Sequence, residues 1–278
     1  MAHVTETQYG WLTPTLAYLF SFLGCLLGLK ATARARMLPT GAQRTRWLIL
    51  AAWAIGGTGI WVMHFIAMIG FSITGSQVRF DLSITLASWI AAIVIVGFGL
   101  FVVGYTPRPS VWKIITAGAF MGIGVAAMHY TGMAAMNISG TETWDRRLII
   151  ASVVIAVVAS IVALWFTVSV RRTGAVVGAA AIMALAVCTM HYTGMAAMKV
   201  QLNALTTTVT GAEAISYLVP IFVFVLVVVV VLGYAMLNSV SEEDAAALDE
   251  LETRLAGAAV RTPQRPSSFG FRVEDTRR

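Results

Sequence analysis

The sequence predicts an all-α integral membrane protein with seven transmembrane helices, and three observations lead there. The 278 residues are 58% hydrophobic and only 12% charged, about half the charge of a soluble globular domain. The apolar residues gather into seven unbroken stretches, each long enough to cross a hydrocarbon layer of roughly 30 Å as a helix. None shows the short alternating pattern of a barrel strand, and in lipid a helix satisfies its own backbone.

In chain order the spans run over Trp11–Leu29, Trp47–Gly70, Leu82–Gly104, Lys113–Met136, Leu148–Val170, Gly174–Met198 and Ala214–Asn238. Tyr9, Trp11, Trp47, Tyr105, Trp112, Trp144, Tyr217 and Tyr234 stand near their ends, where interfacial aromatics belong. Lys30, Arg34, Arg36, Arg44 and Arg46, then Arg108 and Lys113, then Arg171 and Arg172 fall in connections without an acidic residue. The alternate connections mix Arg79, Arg146, Arg147 and Lys199 with Glu6, Asp81, Glu142, Asp145 and Glu213. Excess Lys and Arg mark the cytoplasmic side, which puts the N-terminus outside and the C-terminus inside. The net charge of +6 thus has a membrane explanation, and no nucleic-acid partner is expected. The start has neither a basic n-region nor a small-residue cleavage site, so no removable signal peptide is expected. Two cysteines exclude a disulfide framework or a thiolate cluster.

Residues 1–238 form the expected membrane domain and 239–278 a cytoplasmic tail. In the tail, Ser241 precedes Glu242, Glu243 and Asp244, and Leu248, Leu251 and Leu255 follow at helical spacing. This predicts a short amphipathic helix over 241–260, with a Pro-, Ser- and Arg-rich disordered segment after it. Such a tail is too small for an ordinary catalytic domain. The chain is therefore not expected to be an enzyme, and its output is expected from a separate cytoplasmic signalling protein.

The nine residues Met128 to Met136 recur identically as Met190 to Met198, and a looser copy covers Met63 to Met68. His64, His129 and His191 are 65 and 62 residues apart, each near the same end of an even-numbered span. Three two-helix parallel repeats plus a seventh helix follow, with the imidazoles at one depth in the outer leaflet. On a helix, residues four and seven positions after a histidine lie within about 40° of it. His129, Met133 and Met136, and likewise His191, Met195 and Met198, form two stripes, and the first copy offers His64 and Met68 but Phe71 in third place. Cys188, three residues before His191, lies near the same stripe. Cys25 is placed roughly 18 Å from it in depth, so the two are not expected to pair.

No Asp, Glu or Arg lies inside a span, and Lys113 is at an edge. Intramembrane histidines are functional by default. Imidazole beside thioether is a soft, neutral ligand set that suits copper, Cu(I) above all. Methionine is also a common filler of apolar packing, and Gly or Ala at spacing four lets helices approach. Tyr130, Thr131, Tyr192 and Thr193 either support the ligands or bond locally.

With two full Met-His-Tyr-Thr motifs, at Met128 and Met190, and a third that departs as Met63-His64-Phe65-Ile66, the chain resembles the MHYT domain family of bacterial integral membrane sensors. The resemblance covers about Tyr9 to Asn238. It implies a multi-pass protein of the bacterial plasma membrane, with copper held by Met, His and Cys. On this chain those positions are His64, His129, His191, Met63, Met68, Met128, Met133, Met136, Met190, Met195, Met198 and Cys188. The implied signal is oxygen, carbon monoxide or nitric oxide, and the family's usual outputs are cyclic-di-GMP turnover, histidine kinase or transcription-factor domains. Copper transport and a haem-binding redox protein with two axial histidines are the alternatives. A retinal protein lacks its Lys in the last span, proton-coupled transport lacks an acidic relay, and no hydrolytic constellation is present.

Overall fold

The computed structural model describes residues 4–5, 7–202 and 209–237; Asn238 and the expected tail helix at 241–260 lie outside the described residues. The helices are α1 (Leu12–Met37), a continuous second helix made of α2 (Ala42–Ala52), a π-helical stretch (Trp53–Val62) and α3 (Met63–Ile69), then α4 (Leu82–Gly104), α5 (Val111–Ala134), α6 (Arg146–Ser169), α7 (Thr173–Ala196) and α8 (218–237). With a 3₁₀ turn leading into α8, these make seven helices long and apolar enough to cross a membrane. The chain divides into two compact units: Met1–Leu232 holds the bundle, and the described residues of Gly233–Arg278 are helical.

Most spans agree with expectation within two residues. The exceptions are α1, which runs on to Met37, and the second helix, which starts at Ala42. The added turns of α1 read Lys30-Ala-Thr-Ala-Arg-Ala-Arg36, rich in strong helix formers whose long basic side chains reach polar surroundings from an apolar stem. Charge marks where lipid ends, not where a helix does.

Around the bundle α4 packs on α5, α5 on α6, α6 on α7 and α7 on α1, while α1 and α4 both pack on the second helix. α8 adds its aromatics: Phe222 stands edge-on to Phe20 at 5.8 Å, and Phe224 lies 5.7 Å from Trp53 and 5.4 Å from Trp89. The second helix is consequently the most enclosed of the seven. Several helix contacts are backbone to backbone, those at Gly24 and Gly122 the tightest. A Cβ on Gly24 would fall 2.3 Å from the Gly59 nitrogen, and one on Gly122 would fall 2.4 Å from the Val157 Cα. Small residues at such crossings let membrane helices pack by van der Waals contact.

Seven short strands, which an all-helical reading did not include, knit the connections at one end. They are β1 (Val4–Thr5), β2 (Ser72–Ile73), β3 (Arg79–Phe80), β4 (Met136–Asn137), β5 (Gly140–Trp144), β6 (Met198–Leu202) and β7 (Ala212–Glu213). β1 pairs with β2, β3 lies between β4 and β7, and β5 pairs with β6, all antiparallel. Single hydrogen bonds tie helix ends beneath them: Gln8 N–H to the Gly70 carbonyl (2.8 Å), Asp81 to Ala135 (2.8 Å) and Asp145 to Ala197 (2.9 Å). Asp81 and Asp145 also cap α4 and α6, each side chain accepting a 2.9 Å bond from a first-turn amide. Alanine at either position is expected to cost about 1 kcal/mol, read as a small drop in Tm of the purified protein.

Candidate metal centre

Each histidine stands five residues before the last residue of its helix, Ile69, Ala134 or Ala196. Equal placement on three helices tied at equivalent ends brings the rings to one point. The Nδ1 atoms form a triangle with sides of 3.1 Å (His64 to His191), 3.3 Å (His129 to His64) and 3.4 Å (His191 to His129). The rings meet edge to face, with centroids 5.0–5.1 Å apart, and each residue is 1% exposed. This is the group of His, Cys, Asp or Glu ligands among the described residues that lies within 4.8 Å of itself.

The triangle poses a hydrogen-bonding problem that protons cannot solve. Each Nδ1 carries either one hydrogen or one lone pair, so three of them aimed at each other leave unpaired polar atoms. The far nitrogens do not help, because Nε2 of His64 and Nε2 of His129 have no partner. Buried polar groups of this kind call for an explanation. Three nitrogens on one first-row ion at about 2.0–2.1 Å stand roughly 3.3–3.6 Å apart, for tetrahedral to trigonal angles. The observed sides fall within a few tenths of an ångström of that, so the residues fit a single cation.

Two glycines that the sequence reading treated only as packing residues turn out to seat the rings. A Cβ on Gly132 would lie 2.5 Å from Nε2 of His64, and one on Gly194 would lie 2.5 Å from Nε2 of His129. Each full motif thus supports the imidazole of the copy before it. The usable signal was the fixed interval of three residues between His and Gly in both copies. Where a metal-bound histidine normally orients its ring by a hydrogen bond from the second nitrogen, here steric contact with a bare backbone does so.

Met63, Met68, Met128, Met133, Met190 and Met195 are all at most 2% exposed. Met68, Met133 and Met195 share the histidines' helix faces at spacing four. The expected stripes stop there. Met136 and Met198 are buried but lie past the ends of α5 and α7, in β4 and β6, where side chains alternate across a strand and helical spacing no longer applies. Cys188 is buried and free yet outside the three-residue cluster.

The expected depth of Cys25 is overturned. In the longer α1 it lies mid-helix, its Sγ 3.4 Å from the Cβ position of Gly59. Gly59 is about 7.5 Å of helical rise before His64 and Cys188 about 4.5 Å before His191, so the thiols lie at similar depths. Cys25, Met121, Met183 and Met190 border a void of about 40 Å³.

The tyrosines differ in use. Tyr130 shares a 2.6 Å hydrogen bond with Ser152 on α6. In the first copy Trp61 N–H donates to Ser88 on α4 at 3.0 Å, and Phe65, without a hydroxyl, packs on Phe80 at 5.6 Å and Tyr217 at 5.5 Å. Where the full motifs carry Tyr, the first copy thus places a ring among aromatic neighbours. On the strand-covered side, partial burial raises the Glu142 carboxyl above its ordinary pKa.

The comparisons agree with this architecture. A family described as MHYT, bacterial signalling protein N terminal repeat, matches residues 57–117, 122–180 and 185–249. The chain is 40% identical over 172 residues to the bifunctional diguanylate cyclase/cyclic di-GMP phosphodiesterase MucR of Pseudomonas aeruginosa, covering 60% of this chain and 24% of that protein. It is 32% identical over 193 residues to the cyclic di-GMP phosphodiesterase NbdA of the same organism (67% and 24%). It is 29% identical over 206 residues to the signaling protein YkoW of Bacillus subtilis (70% and 24%). The chain therefore spans about a quarter of the length of these relatives. No solved structure matches. With three family matches falling on the helices that carry the histidines, the chain belongs to the MHYT family of bacterial signalling proteins and is a multi-pass bacterial membrane protein.

Proposed function

We propose that the protein is a membrane sensor that holds one copper ion on His64, His129 and His191 and signals to a separate cytoplasmic partner. The observation that carries this reading is the Nδ1 triangle of 3.1–3.4 Å in a neutral, thioether-rich layer, a donor set that favours copper over Mg, Ca or Mn. When bound, copper supplies an open position for oxygen, carbon monoxide or nitric oxide and a one-electron redox change. The chain itself holds the rings rigid against Gly132 and Gly194 and covers them with the strand layer. The flanking methionines keep the layer soft and dry.

In the proposed orientation the strand layer faces outside and the opposite end faces the cytoplasm. In support, that end carries Arg36, Arg44 and Arg171 around a cavity of about 320 Å³ without a carboxylate in its lining, as the positive-inside rule requires. The three copies act as parallel two-helix repeats. α8, in contact with Trp53 of the second helix, carries a change in packing toward the tail. The names of two relatives suggest cyclic di-GMP turnover as the class of output, supplied outside residues 1–278.

The haem alternative requires a macrocycle between two nitrogens that here are at most 3.4 Å apart, and the rings leave no slot for one. For the copper reading, the test is metal analysis of purified protein equilibrated with Cu(I). The expected result is a single retained ion per chain that disappears in the triple variant His64→Ala, His129→Ala, His191→Ala. Wild type without copper above background, or an unchanged content in the triple variant, overturns the proposal. Copper uptake into proteoliposomes is expected to be absent, and its presence would favour a carrier.

A further inference from the structure

A second site lies at the end of the bundle away from the strand layer. Three arginines from separate elements border one cavity of about 320 Å³: Arg36 in the last turn of α1, Arg44 in the first turn of α2 and Arg171 in the link from α6 to α7. The volume is that of a small-molecule site. The charges of Arg171 and Arg44 both bear on Arg36, so like charges are held around one space, where they repel. No carboxylate stands in the lining. Asp81, Glu142, Asp145 and Glu213, the acidic residues among the described ones, all lie at the strand-bearing end.

Helix ends offset this charge only in part. The cavity sits at the C-termini of α1, α4 and α6, whose carbonyl ends carry roughly half a negative charge each. Against them stand three guanidiniums and the Lys113 ammonium, which donates to the Thr106 hydroxyl at the cavity (2.7 Å). Arg44 is held by the helix ends, donating to the Leu38 carbonyl (3.0 Å) and the Gly104 carbonyl (3.4 Å). No such bond holds Arg36 or Arg171 among the described residues. A guanidinium fork matches carboxylate or phosphate. One fork fills a planar carboxylate, whereas arginines from three elements suit a tetrahedral phosphate, which offers oxygens in several directions. Met37, Val168 and Val170 give the same cavity an apolar side, and Met37 is 75% exposed, so the bearer of the anion is amphiphilic. Basic pockets between helices at the membrane surface take anionic head groups.

We infer that this cavity binds the phosphate of an anionic phospholipid, with Arg36 and Arg171 as its two forks, Arg44 as a fixed positive wall and the acyl chains leaving past Met37. The site is independent of the metal reading. From Thr173, which opens α7 just after the arginine link, His191 stands about 27 Å further along the helix rise.

The test uses the full chain in dodecyl maltoside, titrated with dioctanoyl phosphatidylglycerol and followed by native mass spectrometry, with dioctanoyl phosphatidylcholine and inorganic phosphate as competitors. Saturable binding of a single phosphatidylglycerol is expected, with affinity falling about tenfold or more in the double variant Arg36→Gln, Arg171→Gln, since each basic residue near a membrane surface is worth roughly fivefold. The pair Arg46→Gln, Arg172→Gln removes as much charge from exposed positions at the same end but outside the lining, and is expected to leave the affinity nearly unchanged. Arg171→Gln alone, at an exposed position, serves if the cavity double variant does not fold. Binding is expected to survive in the triple histidine variant, which separates this inference from the copper proposal. Non-saturating partition, displacement of the lipid by an equal concentration of either competitor, an equal loss in the two double variants, or an unchanged affinity in the folded cavity variants would overturn the phospholipid assignment.

Discussion

Alanine at Gly132 or Gly194 is expected to lower metal affinity by about 10- to 100-fold, the range seen when groups that orient a ligating histidine are lost, while the bundle stays folded. The added methyl would lie 2.5 Å from Nε2 of His64 or His129, well inside contact distance. An exposed ring would swing away at little cost. These rings are 1% exposed and touch their neighbours at 5.0–5.1 Å between centroids, so relief comes only by moving Nδ1 out of the triangle. Competition with a Cu(I) chelator measures the loss, and circular dichroism with thermal melting checks the fold. Equal affinity in both variants would show that the glycines serve helix packing alone.

The largest effect on stability is expected from Gly24→Ala and Gly122→Ala. At these positions the new Cβ meets backbone, 2.3 Å from the Gly59 nitrogen and 2.4 Å from the Val157 Cα. A neighbouring side chain can change rotamer, but a helix backbone must move as a body. Overpacking in a well-packed core usually costs about 1–3 kcal/mol, and a backbone clash belongs at or above the top of that range. The expected observation is a large fall in Tm or loss of monodisperse protein. Gly178→Ala on α7 is the control: nothing lies within 4 Å of its Cβ position, and the better helix propensity of alanine predicts a gain of about 0.5–1 kcal/mol. If all three variants melt alike, backbone contact is not what holds α1 and α6 in place.

The spans were legible because lipid imposes one simple demand, apolar length, and seven stretches met it. The convergence of His64, His129 and His191 was legible because two identical motifs and a looser third copy, at nearly regular spacing, occupy equivalent places. What escaped has local physical causes. The π-helical stretch Trp53–Val62 contains Gly56, Gly57 and Gly59, and no apolar period distinguishes a wider helix when every face is buried. Strands of two to five residues are too short for alternation to stand out, although Met198 to Gln201 alternates buried and exposed. That local turn to strand removed Met136 and Met198 from the expected helical stripes. Cys25 was misplaced because a run of basic residues was taken as the end of α1. Gly132 and Gly194 were visible as letters, but their partners are rings 68 and 65 residues away, a relation that only the assembled bundle reveals.

The three imidazoles reach their meeting point from chain positions 62, 65 and 127 residues apart. An ion held there would clasp three distant stretches that an unfolded chain cannot bring together in advance. Occupancy and folding are then coupled by mass action, and a chelator should act as a denaturant of this bundle as well as an inhibitor of its signal. A cell short of the ion would hold not merely a silent receptor but a less durable one.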